Sequence, residues 1–138
     1  MLVFGSAIGE GNYTRPQGEV INLEKFVEIQ TNVTPAAADD KILNLEALSN
    51  GKIPKGAKAI HSLVEVKNSS IASGQGIRFG PTSTYPYQLV CCPQVDNIYL
   101  QSSGRINCDT NGDIYQQVTE TGATLSGLYH NINTVVLR

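Results

Sequence analysis

Ala57-Lys-Ala-Ile-His-Ser-Leu-Val-Glu-Val-Lys67 places Ile60, Val64 and Val66 on one face and His61, Leu63 and Glu65 on the other. A period of two over this length predicts a strand, because successive side chains of an extended backbone point to opposite faces. The turn cluster Gly51-Lys-Ile-Pro-Lys-Gly56 precedes it and Asn68-Ser-Ser70 follows it. Toward the C-terminus the same unit recurs, with strands expected at 76–80, 87–92, 97–101, 105–109, 113–119, 124–129 and 132–137. Turn signals separate nearly all of them: Gly80-Pro81, Cys92-Pro93, Ser103-Gly104, Asn111-Gly112 and Thr121-Gly122. Asn111-Gly112, between Ile106-Asn-Cys108 and Ile114-Tyr115, predicts a β-hairpin.

Toward the N-terminus, Ile21, Leu23, Val27, Ile29 and Val33 alternate with polar residues, and Lys25-Phe26 interrupts them as a bulge would. Between these strands lies a segment with two readings. Thr34-Pro35 followed by Ala36, Ala37, Ala38 and Asp39 suits a helix start, with Ile42, Leu45 and Leu48 at helical spacing and Asn50-Gly51 as a stop. Leu43, Leu45 and Ala47 instead alternate as a strand, and this reading is favoured because the rest of the chain is β-like. Residues 1–18, with Gly5, Gly9, Gly11, Gly18 and Pro16, read as an irregular arm. The expected architecture is therefore all-β: an antiparallel β-sandwich or jelly roll over 19–138, an irregular N-terminal arm, and at most one short helix.

Composition bounds the function. The 138 residues suffice for one domain; they are 41% hydrophobic and 16% charged, so a core can form, and no apolar run approaches the ~18 residues of a membrane span. Net charge is −2, and after Arg78 the basic side chains are Arg105 and Arg138. That distribution offers no broad phosphate-binding face, which argues against nucleic acid as a partner. The N-terminus lacks the basic and long apolar regions of a secretory signal. The sequons at Asn12, Asn32 and Asn68 are expected by chance in a chain this rich in Asn, Ser and Thr.

Reactive residues form no legible constellation. Cys91, Cys92 and Cys108 are an odd set without C-x-x-C spacing, so they read as buried thiols, with a bridge from Cys91 or Cys92 to Cys108 as the alternative. Asp109, Asn111, Asp113 and Glu120 mimic a calcium loop, yet Ile114 stands where such a loop needs glycine. Gly74-Gln-Gly-Ile-Arg-Phe-Gly80 carries glycines like a phosphate loop but no helix follows it. His61 and His130 lie far apart, and Asp39-Asp40 suits a turn. No catalytic residue, metal or cofactor is expected. Pro81-Thr-Ser-Thr-Tyr-Pro-Tyr87 is the exception to this blandness, because Tyr85 and Tyr87 in a hydroxyl-rich loop have the composition of a recognition surface.

Gly51-Lys-Ile-Pro-Lys-Gly-Ala-Lys-Ala-Ile60, Gln75-Gly-Ile-Arg-Phe79, Asn97-Ile-Tyr-Leu-Gln101 and Gly112-Asp-Ile-Tyr-Gln116 together resemble the small β-modules of tailed-bacteriophage virions. Such modules occur in capsid decoration and head-fibre proteins, tail-fibre tips and tail-needle knobs. The resemblance covers roughly residues 51 to 137 and implies a virion structural protein, assembled in the host cytoplasm, attached to capsid or tail and able to contact the host surface. It implies a homotrimeric jelly roll without enzymatic activity. The apolar pair Leu63 and Val64 on opposite faces of one strand also suggests a homo-oligomer. Leu2, Val3, Phe4 and Ile8 are then the candidate attachment residues of the arm, and Tyr85 and Tyr87 the candidate glycan or receptor contacts. The alternative is a non-catalytic carbohydrate-binding β-sandwich module using the same two tyrosines.

Overall fold

A computed structural model describes residues 19–35, 40–120 and 122–138. The attachment residues Leu2, Val3, Phe4 and Ile8 lie outside the described residues. The chain runs through β1 (Val20–Val33), β2 (Lys41–Leu43), α1 (Leu45–Leu48), β3 (Ala59–Asn68), a 3-10 turn (Ile71–Ser73), β4 (Ile77–Gly80), β5 (Leu89–Cys91), β6 (Leu100–Asn107), β7 (Ile114–Val118) and β8 (Leu125–Val136). One sheet has the order β1-β8-β3-β6 and the other β2-β7-β4-β5, with antiparallel pairing throughout. Among the described residues, chain order and spatial order together are those of an eight-stranded jelly roll, as the sequence predicts.

Alternation is the local cause of each strand's place. In β3, Ile60, Ser62, Val64, Val66 and Asn68 are buried while His61 is exposed and Leu63, Glu65 and Lys67 are half-buried. In β8, Leu128, His130 and Ile132 point inward at the same period. The inward residues of the two sheets meet in one core that includes Ile60, Val64, Ile77, Phe79, Ile106, Ile114, Leu125 and Ile132, all fully buried. Burying each such side chain contributes about 1.5 to 3 kcal/mol, which is what holds the sheets face to face. The interruption at Lys25-Phe26 is real: the register of β1 against β8 shifts between Asn22 and Val27, and Phe26 stays exposed.

Four expectations are corrected. Leu43, Leu45 and Ala47 do not form one strand: the strand stops at Leu43, and Leu45–Leu48 is a single helical turn whose N-cap Asn44 accepts from the Ala47 N–H at 3.1 Å. The segments 97–101 and 105–109 are replaced by one strand, β6, because Gly104 sits extended within the ladder opposite Ser62 instead of turning. Likewise 124–129 and 132–137 are one strand, β8. Asn111-Gly112 does form a turn, closed by Gly112 N–H to Asp109 C=O at 3.0 Å, but the strands it joins belong to different sheets and do not pair with each other. Turn chemistry specifies that the chain reverses; it does not specify which neighbour the next strand finds.

Antiparallel order sorts the loops into two ends. The β3–β4, β5–β6 and β7–β8 loops share one end, where Asn97 N–H bonds Asn68 C=O at 2.8 Å and Ser69 N–H bonds Thr124 C=O at 2.8 Å. The β2–β3, β4–β5 and β6–β7 loops share the other, together with Glu19, whose C=O accepts from Leu137 N–H at 2.8 Å. The chain therefore enters the domain at the end that also carries the Tyr85–Tyr87 loop.

Candidate functional site

Tyr85 and Tyr87 are brought together, and they remain outside the core, 53% and 51% exposed. Their rings meet edge to face with centroids 5.9 Å apart, an arrangement favoured by the ring quadrupoles. Three features hold the loop. Thr82 and Tyr85 form a bridge, with Tyr85 N–H donating to Thr82 C=O at 3.1 Å. Gln88 N–H donates to Phe79 C=O at 2.9 Å, which returns the chain to β4. Gly80 then allows the loop to lie against the strand, because a Cβ there would sit 2.7 Å from Pro86 Cα and run into the Tyr85 carbonyl oxygen. Replacing Gly80 by alanine is expected to displace the tyrosines and cost about 1 to 3 kcal/mol, the range for overpacking against backbone. Denaturant unfolding and tyrosine fluorescence measure the two effects; an unchanged variant would show that the loop is not seated on β4.

The loop also recruits a residue that sequence analysis passed over. Arg78 lies on β4 and faces outward, with Gln117 opposite it on β7 and Val90 on β5. Its Nε–H donates to Gln117 Oε1 at 2.6 Å, and its guanidinium carbon lies 4.5 Å from the centre of the Tyr87 ring. A cation over an aromatic face is attracted by the ring quadrupole, by about 0.5 to 1 kcal/mol at a wet site. The sole signal in the sequence was the alternation of Ile77-Arg78-Phe79, which puts Arg78 outward; its cross-strand neighbours depend on pairing. The exposed Val90 and Ile42 lie on this same outer sheet face, Ile42 beside Tyr115. The outer face of β3, by contrast, carries half-buried Leu63 between Asn131 and Ser103, and Glu65 accepting from Gln101 Nε2 at 2.5 Å.

The remaining chemistry-bearing residues are committed to structure. His61 and His130 lie on opposite faces of their sheet, one exposed and one fully buried. His130 Nε2 is 2.7 Å from Ser62 Oγ, its Nδ1 has no partner, and its ring packs edge-on against Phe79 at 4.8 Å. A bare acceptor is the less costly orphan, so we assign the proton to Nε2. Burial pushes its pKa down to about 3. Beside it, Gln30 Nε2 donates to Gln116 Oε1 at 2.7 Å across the sandwich. This buried polar seam was missed because reading β8 as two strands left His130 between them.

The cysteines are free thiols, Cys91 and Cys108 buried as the sequence reading has them and Cys92 half-buried, and the alternative of a bridge to Cys108 is not formed. Cys91 Sγ donates to Leu100 C=O at 3.5 Å at the start of β6, and Cys108 follows its other end. At ~3.3 Å per residue those positions are about 25 Å apart, beyond any disulfide. Burial raises the thiol pKa of Cys91 to about 11 and that of Cys108 to about 12. Native protein is therefore expected to react with one equivalent of a thiol reagent at neutral pH, at half-buried Cys92, and with three once unfolded; mass spectrometry of the adducts checks this.

The calcium-like set is also dispersed. Asp109 Oδ1 accepts from Asn111 N–H at 2.8 Å and Asp113 N–H at 3.0 Å, Asp113 Oδ1 accepts from Leu45 N–H at 3.3 Å, and Glu120 lies past the other end of β7. Among the described residues no three His, Cys, Asp or Glu side chains are placed to hold a metal ion. The glycines of 74–80 do not frame a phosphate: Gln75 between them is fully buried, its Oε1 accepting from Thr124 N–H and Oγ1–H at 2.8 Å each. Asn68 is likewise buried, its amide donating to Gln75 C=O at 3.3 Å, so that sequon is not a surface site. Among the described residues three clefts remain: one of about 390 Å³ between the bulged Phe26–Glu28 and Leu48–Asn50, one of about 450 Å³ along Leu23–Val27 beside Lys52, and one of about 280 Å³ between Glu46, Lys55 and Asp113. Comparison with protein-family models, with curated proteins and with solved structures found no match.

Proposed function

We propose that this chain is a non-catalytic structural module of a bacteriophage virion, a jelly roll attached to capsid or tail and displayed at the particle surface. The observation that carries the reading is how the four stretches with phage-module character pack. Gly51–Ile60 leads into the central strand β3, and Gly112–Gln116 turns against it so closely that a Cβ on Gly112 would sit 2.7 Å from Ala57 N. Gln75–Phe79 pairs with β7, and Asn97–Gln101 opens β6 beside β3. Segments that resemble one module type in sequence are thus neighbours in one structural unit. The buried His130, Cys91 and Cys108 are all held uncharged at neutral pH, which suits packing better than acid-base or nucleophilic work.

Attachment is assigned to the arm through Leu2, Val3, Phe4 and Ile8, and self-association to a homotrimer. The test is to express the chain with an epitope tag during phage growth. It is expected to remain with intact particles through a density gradient, and its deletion variant lacking residues 1–15 to keep its thermal transition but leave the particles. Absence of the full chain from particles overturns the reading. A second reading, a carbohydrate-binding module, is favoured by one observation, the paired exposed rings of Tyr85 and Tyr87. A glycan-array signal lost in Tyr85→Ala, with no particle association, would establish it instead.

A further inference from the structure

We propose that Arg78, Gln117, Tyr85 and Tyr87 form a binding site for a carboxylate-bearing saccharide. This deepens the reading of the tyrosine loop as a host-contacting surface and rests on that reading for its biological setting, though the site is argued from its own geometry.

A guanidinium has five N–H donors in a rigid plane. In Arg78 one of them is committed, Nε–H to Gln117 Oε1, and the guanidinium carbon is held 4.5 Å from the centre of the Tyr87 ring. Among the described residues its terminal nitrogens have no hydrogen-bond or ion-pair partner, and its cross-strand neighbours, Gln117 and Val90, are uncharged. The arginine is therefore oriented before any ligand arrives, which lowers the entropy lost on binding. A planar fork of donors fits a carboxylate with two parallel hydrogen bonds, a geometry that a lysine cannot reproduce.

The surroundings select the rest of the ligand. Tyr85 presents an exposed ring beside Tyr87, and the loop adds the hydroxyls of Thr82 and Thr84, which lie 3.1 Å apart. An aromatic face for sugar C–H groups next to hydroxyls and one fixed arginine matches a single acidic sugar residue. A second copy of this chain fits less well. Pairing this face with itself about a two-fold axis would bring two Arg78 side chains together, and the Asp40 carboxylate at the β2 edge already accepts from Val118 N–H at 2.8 Å.

The test is a titration of the intact protein, followed by amide chemical shifts, with 3′-sialyllactose and a glucuronic acid-containing disaccharide as acidic probes. Lactose is the neutral control and sodium acetate the free-carboxylate control. The expected result is saturable binding of at least one acidic probe, at least tenfold tighter than lactose or acetate, with shifts at Arg78, Gln117 and Tyr87. Arg78→Lys, which keeps the charge and loses the fork, should weaken it at least tenfold; Tyr85→Ala should weaken it while leaving the thermal transition in place. Equal affinity for lactose, equal affinity for acetate, wild-type affinity in Arg78→Lys, or no saturable binding overturns the proposal. Concentration-dependent association abolished by Tyr87→Ala, without sugar binding, assigns the face to self-contact and also overturns it. Particle association is measured separately, so a chain found on virions that binds no acidic sugar loses only this inference, and one that binds acidic sugar but is absent from particles loses only the virion reading.

Discussion

Gly112→Ala is expected to lower the unfolding free energy by about 2 to 5 kcal/mol, a large fraction of the 5 to 15 kcal/mol typical of a domain. Two costs combine at this position. Gly112 has φ +84°, in the left-handed region, where a side chain costs about 1 to 2 kcal/mol. Its added Cβ would also stand 2.7 Å from Ala57 N and 2.8 Å from Gly56 Cα and collide with Gly56 N. Those atoms are backbone, so no rotamer change relieves the contact, and overpacking of this kind adds about 1 to 3 kcal/mol. Gly51→Ala is the matched control: φ there is +82° and a Cβ would meet nothing within 4 Å. It should show the conformational cost alone, and the difference between the two variants in denaturant unfolding is the steric part. Equal destabilisation would mean that the β6–β7 turn is not packed on the Gly51–Gly56 segment.

The second large effect is acid sensitivity centred on His130. Above pH 6.5 the ring is neutral in folded and unfolded chains alike, so it adds no pH dependence. Below pH 6.5 the unfolded chain takes up a proton that the native state refuses until pH falls to about 3. Stability thus falls with falling pH across that window, by about 1.4 kcal/mol per pH unit for this one site. Between pH 6.5 and 5, where carboxylates still contribute little, the loss should reach about 2 kcal/mol. In His130→Gln the same interval should be nearly flat, whatever the variant's absolute stability. A flat wild-type profile, or a His130 ring resonance titrating near pH 6.5, would contradict the burial on which this rests. The physical cause is the setting of the ring: among the described residues Ser62 Oγ is its one hydrogen-bond partner, Phe79 packs edge-on against it, and no carboxylate is bonded to it to balance a positive charge.

How much of the candidate site could be read beforehand follows the same division between local and distant causes. Tyr85 and Tyr87 were legible because the loop Pro81–Tyr87 interrupts two apolar alternations and cannot enter a core. Arg78 was not, since its meaning comes from Gln117, 39 residues away, and from a loop that folds back over Gly80. The seam of Gln30, Ser62, Gln116 and His130 was hidden for a related reason. Each residue looked like an ordinary polar interruption, and burial of all four is affordable only because they hydrogen-bond to one another in pairs.

Alternation along single segments determined, without any structure, that this is an all-β chain, that Ile60, Val64 and Val66 share a face, that a bulge sits at Lys25-Phe26, and that the chain reverses at Asn111-Gly112. These are short-range properties: φ/ψ preference, side-chain direction and turn stereochemistry depend on a residue and its immediate neighbours. Tertiary structure alone decided that the strands flanking Asn111-Gly112 enter different sheets, that Gly104 continues a strand, that Leu45–Leu48 becomes a helical turn, and that Cys91 and Cys108 stand at opposite ends of β6. Each of these outcomes is selected by burial of apolar area between segments far apart in sequence, a global term of several kcal/mol that overrides local preferences worth about 1 kcal/mol.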